Sequence, residues 1–207
     1  MFDSADTDAS IFGPSLTVRQ VSTSTEAARI PVFASVPSKL DLDQRASCAY
    51  VYYWLRRVGL EPRTVGVSDN SYYNPLHEVR TLARHCAGGL ILGYCQVVAK
   101  NAKTTVKGRT ADEVETLIIK EYYAPTPWNQ LETGILFGLG LPLLVLKQKG
   151  ITGGIFDEGA SDVFVQPMPM PGPDWESKLS SGTGATPFEQ ALFRWQTLVR
   201  HHYYEDE

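Results

Sequence analysis

The chain is short of several things, and each shortage excludes a class of protein. Cysteine is scarce: Cys48, Cys86 and Cys95 are the only three in 207 residues. An odd number without metal-ligand spacing speaks against a disulfide framework or a cysteine-built zinc site, and reduced, structural thiols are the default reading. Excess positive charge is missing too, since 19 Lys and Arg face 23 Asp and Glu for a formal net charge of −4. Nothing in that balance steers the chain to a duplex, so no nucleic-acid partner is expected. Long hydrophobic runs are also lacking. The longest, Ile135 to Leu146, is broken by Gly138, Gly140 and Pro142 and is too short to span a bilayer. The opening residues MFDSADTDAS are acidic and polar, where a secretory leader is basic and then apolar. The expectation is a cytoplasmic protein with no membrane partner. With 43% hydrophobic residues, the chain has enough apolar surface for one domain with appendages.

What is present is an alternation of short apolar runs with helical stripes. Residues 1–29, rich in Ser, Thr, Asp and Ala, read as a flexible N-terminal arm. IPVFASV (30–36) reads as a buried strand, and the following helix carries Cys48, Val51, Tyr52 and Leu55 at helical spacing, with Gly59 as its stop. A second strand over 60–67 is peripheral because of Pro62. A helix capped by Asn74 with Pro75 at its first position leads to a third strand, 89–95. Residues 98–125 show no clean pattern and read as an insertion or lid. A helix over 127–139 and a strand over 141–146 follow, then a glycine-rich loop and a short fifth strand, SDVFVQP. The α/β domain is expected to span 30–166. A Pro/Gly/Ser linker (167–187) and an amphipathic helix with an acidic tail (188–207) complete the chain. Strand–helix alternation with unalternating strands predicts a five-stranded parallel sheet with helices on both faces, a flavodoxin-like three-layer fold. In such sheets ligands bind beyond the carboxyl ends of the strands, where strand order reverses.

One residue stands out against this background. In TPWNQLETGILFGLGLPLLVL (126–146) the only charge is Glu132, which shares a helical face with Leu136 and Leu139. Thr126 as cap and Pro127 at the first helical position put Glu132 in the second turn, leaning toward the helix N-terminus and the strand ends. Burial would raise its pKa and the helix dipole would lower it, so a carboxylate that stays ionised in a dry pocket is the expectation. A bland alternative stands beside this one: a Glu that pairs with a cation or edges out to water.

Other candidates have two readings each. Ser35, at the end of the first strand, is a hydrogen-bond partner for ribose or phosphate, or a turn serine satisfying its own backbone. Asp69 and Asn70 suit ribose hydroxyls or an Asx turn. Trp128 and Tyr94 offer rings to stack on a base, or core packing. His77 and His85 lie eight apart without a third ligand, so no metal is expected.

These residues also carry a family resemblance. TPWNQLETG resembles the Ser-x-Trp-Cys-x-x-Glu signature of Toll/interleukin-1 receptor (TIR) domains, with Thr126, Trp128, Asn129 and Glu132 at the four named positions. PVFASV resembles the family's first strand box, GLEPRTVGVSDN its second strand and loop, and LPLLVL the strand after the signature helix. The likeness runs over roughly residues 30–165. Asn129 in place of Cys, a short loop PSKLD and the long 98–125 segment depart from the pattern. The resemblance implies Glu132 as the catalytic residue for cleaving the nicotinamide–ribose bond, with NAD as substrate rather than cofactor. It also implies a homo-oligomer or an effector or sensor partner protein, and a setting in bacterial antiphage defence. Two alternatives accompany it. One is a relation to nucleoside 2-deoxyribosyltransferases, whose Asp-x-Gly-Thr-x-x-Glu approach is absent here. The other is a non-catalytic nucleotide sensor or scaffold, with the Trp195 helix as a partner-docking surface.

Overall fold

A computed structural model describes residues 28–66, 75–107, 114–157, 159, 164–178 and 186–205. Five strands form one parallel sheet: β1 (Ile30–Ser35), β2 (Leu60–Arg63), β3 (Gly89–Gly93), β6 (Leu143–Lys147) and β7 (Phe164–Pro167). Their order is β2-β1-β3-β6-β7. The chain runs outward from β1 to β2 and then returns past β1 to β3, so the strand order reverses between β1 and β3.

The helices follow from local chemistry. The helix α1 (Leu42–Arg57) opens on a capping box, with the Asp41 side chain accepting from the Gln44 N–H and the Gln44 side chain accepting from the Asp41 N–H. Pro75 begins α2 (Pro75–Ala83); its predicted cap, Asn74, lies outside the described residues. The next helix, α3 (Pro127–Gly138), is capped by Thr126 and ends one residue short of the expected 139. The edge position of β2 is what Pro62 requires.

Side chains alternate across the sheet into two cores. Val32, Leu90, Leu92, Leu144 and Leu146 meet α1 and the C-terminal helix α5 (Pro187–Glu205) on one face. Phe33, Ile91, Leu143 and Val145 meet α2 and α3 on the other. Burial on both faces is why these strands read as unbroken apolar runs.

Three expectations about organisation are corrected. The C-terminal helix is no separate appendage: Phe188, Leu192, Trp195 and Val199 lie in the first core, and the Trp195 indole donates to the Pro142 carbonyl at 2.9 Å. Its stripe therefore covers its own sheet and is not a free docking surface. The 167–187 segment is not simply a linker either. Met168 is a core residue, and Trp175, in the short helix α4 (Trp175–Lys178), is packed against Tyr50 and Tyr53. Finally, the insertion is a regular antiparallel hairpin of β4 (Val97–Lys107) and β5 (Val114–Ala124). It hid from pattern reading because one-sided burial creates alternation, and this ribbon is solvated along most of both faces. The N-terminal arm, apart from Ala28 and Arg29, lies outside the described residues. No described helix is long and apolar enough to cross a membrane.

Candidate active site

The capped start of α3 and the end of β1 meet at the point where strand order reverses. Pro127 and the Thr126 cap fix the first turn of α3, and the third helical residue, Asn129, turns inward and is buried. Its amide orientation is set by two bonds: Thr126 Oγ1 donates to Asn129 Oδ1 at 3.0 Å, and Asn129 Nδ2 donates to Ser35 Oγ at 2.7 Å. Because Ser35 Oγ accepts from Asn129, its own proton is free for another acceptor. The Glu132 carboxylate, one turn further along α3, lies close enough for the Ser35 hydroxyl to lower its pKa. A directed chain thus runs from the helix cap through Asn129 to Ser35, with Glu132 beside its end.

Burial raises the pKa of Glu132, and the Ser35 hydrogen bond opposes the rise without cancelling it. The expectation that the helix dipole would hold the group down is corrected. Dipole effects fade within the first turn, and Glu132 lies beyond it. A cavity of about 280 Å³ opens beside this carboxylate. Val36, Pro37 and Ser38 after β1, Val65 and Gly66 after β2, Pro75 and Val79 on α2, and Thr126, Trp128 and Glu132 line it. Among the described residues lining it, Glu132 is the only carboxylate. Trp128 is 43% exposed, so its indole is available to a ligand and not consumed by the core.

The structure thus brings Ser35, Trp128 and Glu132 together. Tyr94 is set apart, and the stacking role is corrected for it. Its ring is fully buried in the α1-side core, its hydroxyl donates to Ser47 Oγ at 2.9 Å, and burial pushes its pKa well up. Asp69 and Asn70 lie outside the described residues. Asn129 is the site residue that sequence reasoning passed over. It registered there only as a departure from the family signature, although a buried polar residue one turn before a partly buried acid signals a partner network. Cys48 supplies no nucleophile, since burial pushes its thiol up to about 11. Among the described residues no cluster of three or more His, Cys, Asp or Glu is placed to hold a metal.

A larger cavity of about 510 Å³ lies between β2 and α2, bordered by Arg63, His77, Glu78, Thr81, Leu82 and His85 and sharing Val65 with the first. Its volume is greater and it too is lined by an acid, Glu78, but the smaller cavity lies at the strand-order reversal and holds Glu132, whose pKa burial raises. Compared with known proteins, the chain matches no protein-family model and no curated protein.

Replacing Ser35 by alanine tests the hydrogen-bond chain. The change leaves Asn129 Nδ2 buried without its acceptor, which costs about 1–3 kcal/mol of stability. It also removes the hydroxyl that lowers the Glu132 pKa. We therefore expect the acidic limb of any Glu132-dependent activity to move to higher pH in Ser35→Ala, read from paired denaturant and pH-rate measurements.

Proposed function

We propose that the protein cleaves the N-glycosidic bond between nicotinamide and ribose in NAD, releasing nicotinamide with ADP-ribose or a cyclised derivative. The observation that carries this reading is the Glu132 carboxylate, partly buried beside Ser35 and, among the described residues, the only carboxylate lining a cavity at the strand-order reversal. Ordinary glycosides need a second acid to protonate the leaving oxygen. Nicotinamide departs as a neutral pyridine from a cationic nitrogen and needs no such proton. One ionised carboxylate suffices to stabilise the positive charge that develops on the ribose, or to attack the anomeric carbon.

Each neighbour has a task in this scheme. Ser35 sits beside Glu132 and favours its ionised form, and Asn129 fixes Ser35. The Trp128 indole stacks on the pyridine ring at the cavity mouth. The cavity suits the nicotinamide riboside half of the dinucleotide, and the remainder extends toward the β2–α2 side. The TIR resemblance supports the same substrate, and antiphage defence is the setting it suggests.

Chromatography of NAD incubated with concentrated protein tests the proposal. Nicotinamide and ADP-ribose, or its cyclic isomer, should accumulate together. Unchanged NAD at high protein concentration would sink it. Incubation with a deoxynucleoside and a free acceptor base separates the transferase alternative, because only that enzyme exchanges the base.

A further inference from the structure

We infer that the dinucleotide lies extended across two cavities, with its adenosine diphosphate half between Arg63 and His85, so that water rather than its own adenosine takes the ribose. This rests on the proposed nicotinamide–ribose cleavage and chooses linear ADP-ribose among its products. Room is the first observation. At about 280 Å³ the cavity beside Glu132 falls just short of the roughly 300–1,000 Å³ of ligand pockets. It suits a nicotinamide riboside but is too small for the whole dinucleotide. The neighbouring cavity adds about 510 Å³, and Val65 lines both.

The chemistry of the lining is the second. Arg63 closes β2, and Val65 follows two residues later on the same side of the chain. A guanidinium therefore stands beside the residue that the two cavities share, where the pyrophosphate linking two ribosides would fall. Its planar fork matches phosphate oxygens. Further along, His77, Thr81 and His85 recur every four residues and make one exposed stripe on α2 and the turn after it. With Glu78 they offer donors and acceptors to ribose hydroxyls and the edge of a base, beside the apolar Leu82. A few convergent polar groups among apolar walls are what a base and its sugar require.

Direction is the third. Pro75 and Val79 line the catalytic cavity, whereas the His77–Thr81–His85 stripe lies roughly 140° round the same helix. An adenosine held on that stripe is turned away from the anomeric carbon beside Glu132. Ring closure needs an atom of the adenosine half to return to that carbon, and phosphates held at Arg63 keep it away. Water is then the acceptor. The C–N bond breaks with its electron pair on the nicotinamide nitrogen, and the water oxygen bonds to the anomeric carbon. The water's proton passes through the Glu132 carboxylate to solvent. Each turnover consumes one water and releases nicotinamide, linear ADP-ribose and one proton.

Nicotinamide riboside fills the smaller cavity alone, so parallel assays of the full chain with it and with NAD test the inference. NAD should have the higher kcat/KM, and its nicotinamide should be matched mole for mole by linear ADP-ribose. The preference for NAD over nicotinamide riboside should fall about tenfold in Arg63→Ala, which loses a charge-assisted bond to phosphate. It should also fall in Thr81→Trp, which fills the adenosine end. Being a ratio, this preference does not depend on how much of a variant is folded. A fall in either variant supports the inference. An unchanged ratio in both would overturn it, as would a cyclic product or equal use of the two substrates. In those cases nicotinamide is still released and the cleavage reading stands. Release from neither substrate would instead refute the cleavage, and the inference with it.

Discussion

Under the proposed reaction, Glu132→Gln should lower NAD cleavage by roughly 10²–10³-fold and at the same time raise the midpoint of thermal unfolding at neutral pH. The first effect follows from charge. An amide of the same shape fills the same place beside Ser35 but cannot stabilise a developing cation, and losing one preorganised electrostatic contact costs roughly 10²–10³-fold in kcat. The second follows from linkage. The folded pKa of Glu132 lies above the 4.5 of an unperturbed glutamate, chiefly through burial. The folded protein therefore holds this proton more tightly than the unfolded chain does. Stability from the protonated form is fully present below the unfolded value and is lost as pH rises through the raised folded value. Above that window the partly buried carboxylate is a standing cost, which glutamine removes. The stability difference between variant and wild type should accordingly be positive at pH 7–8 and shrink as pH falls below the ordinary glutamate range. Activity against pH should rise as Glu132 ionises, with its acidic limb displaced upward. A variant that lost activity and stability together would mark Glu132 as a structural residue.

Trp195→Ala carries the second large effect. The indole is fully buried between α5 and the sheet, and its Nε1–H satisfies the Pro142 carbonyl just ahead of β6. Truncating a buried aromatic of this size costs about 3–5 kcal/mol, against a total stability of about 5–15 kcal/mol for a domain. Gly88 packs so closely beneath this helix that a Cβ there would come within 2.6 Å of Val199 Cγ2 and 3.1 Å of the Trp195 ring, so the backbone cannot easily collapse into the gap. Urea unfolding should show the midpoint falling steeply at an unchanged slope. An effect below about 1 kcal/mol would mean that the helix is not integral to the core.

The contrast between these two residues shows what the sequence made legible. The parallel sheet was readable because Val32-Phe33-Ala34 and Leu90-Ile91-Leu92 are apolar on both faces, as doubly covered strands are. The start of α3 was readable because Thr126 and Pro127 are local signals. Glu132 was visible because a charge on an apolar stripe contradicts its surroundings. Trp195 was visible as part of a stripe, but which surface that stripe covers is a long-range fact. Tyr94 misled for a similar reason: it ends a strand at the correct edge, but which face it takes depends on sheet alternation, and that placed it toward Ser47. Asn129 was hidden because its importance lies in Ser35, 94 residues away. The hairpin escaped because a ribbon solvated on both faces has no buried side to write a period into its sequence.

The most direct test of the catalytic account is a crystal structure of Glu132→Gln with NAD bound. The account predicts the nicotinamide ring against Trp128 and the ribose anomeric carbon about 3–3.5 Å from the side chain at position 132, a near-attack distance. A dinucleotide whose nicotinamide ribose lies beyond hydrogen-bond reach of that side chain, for instance wholly within the Arg63–His77–His85 cavity, would contradict it.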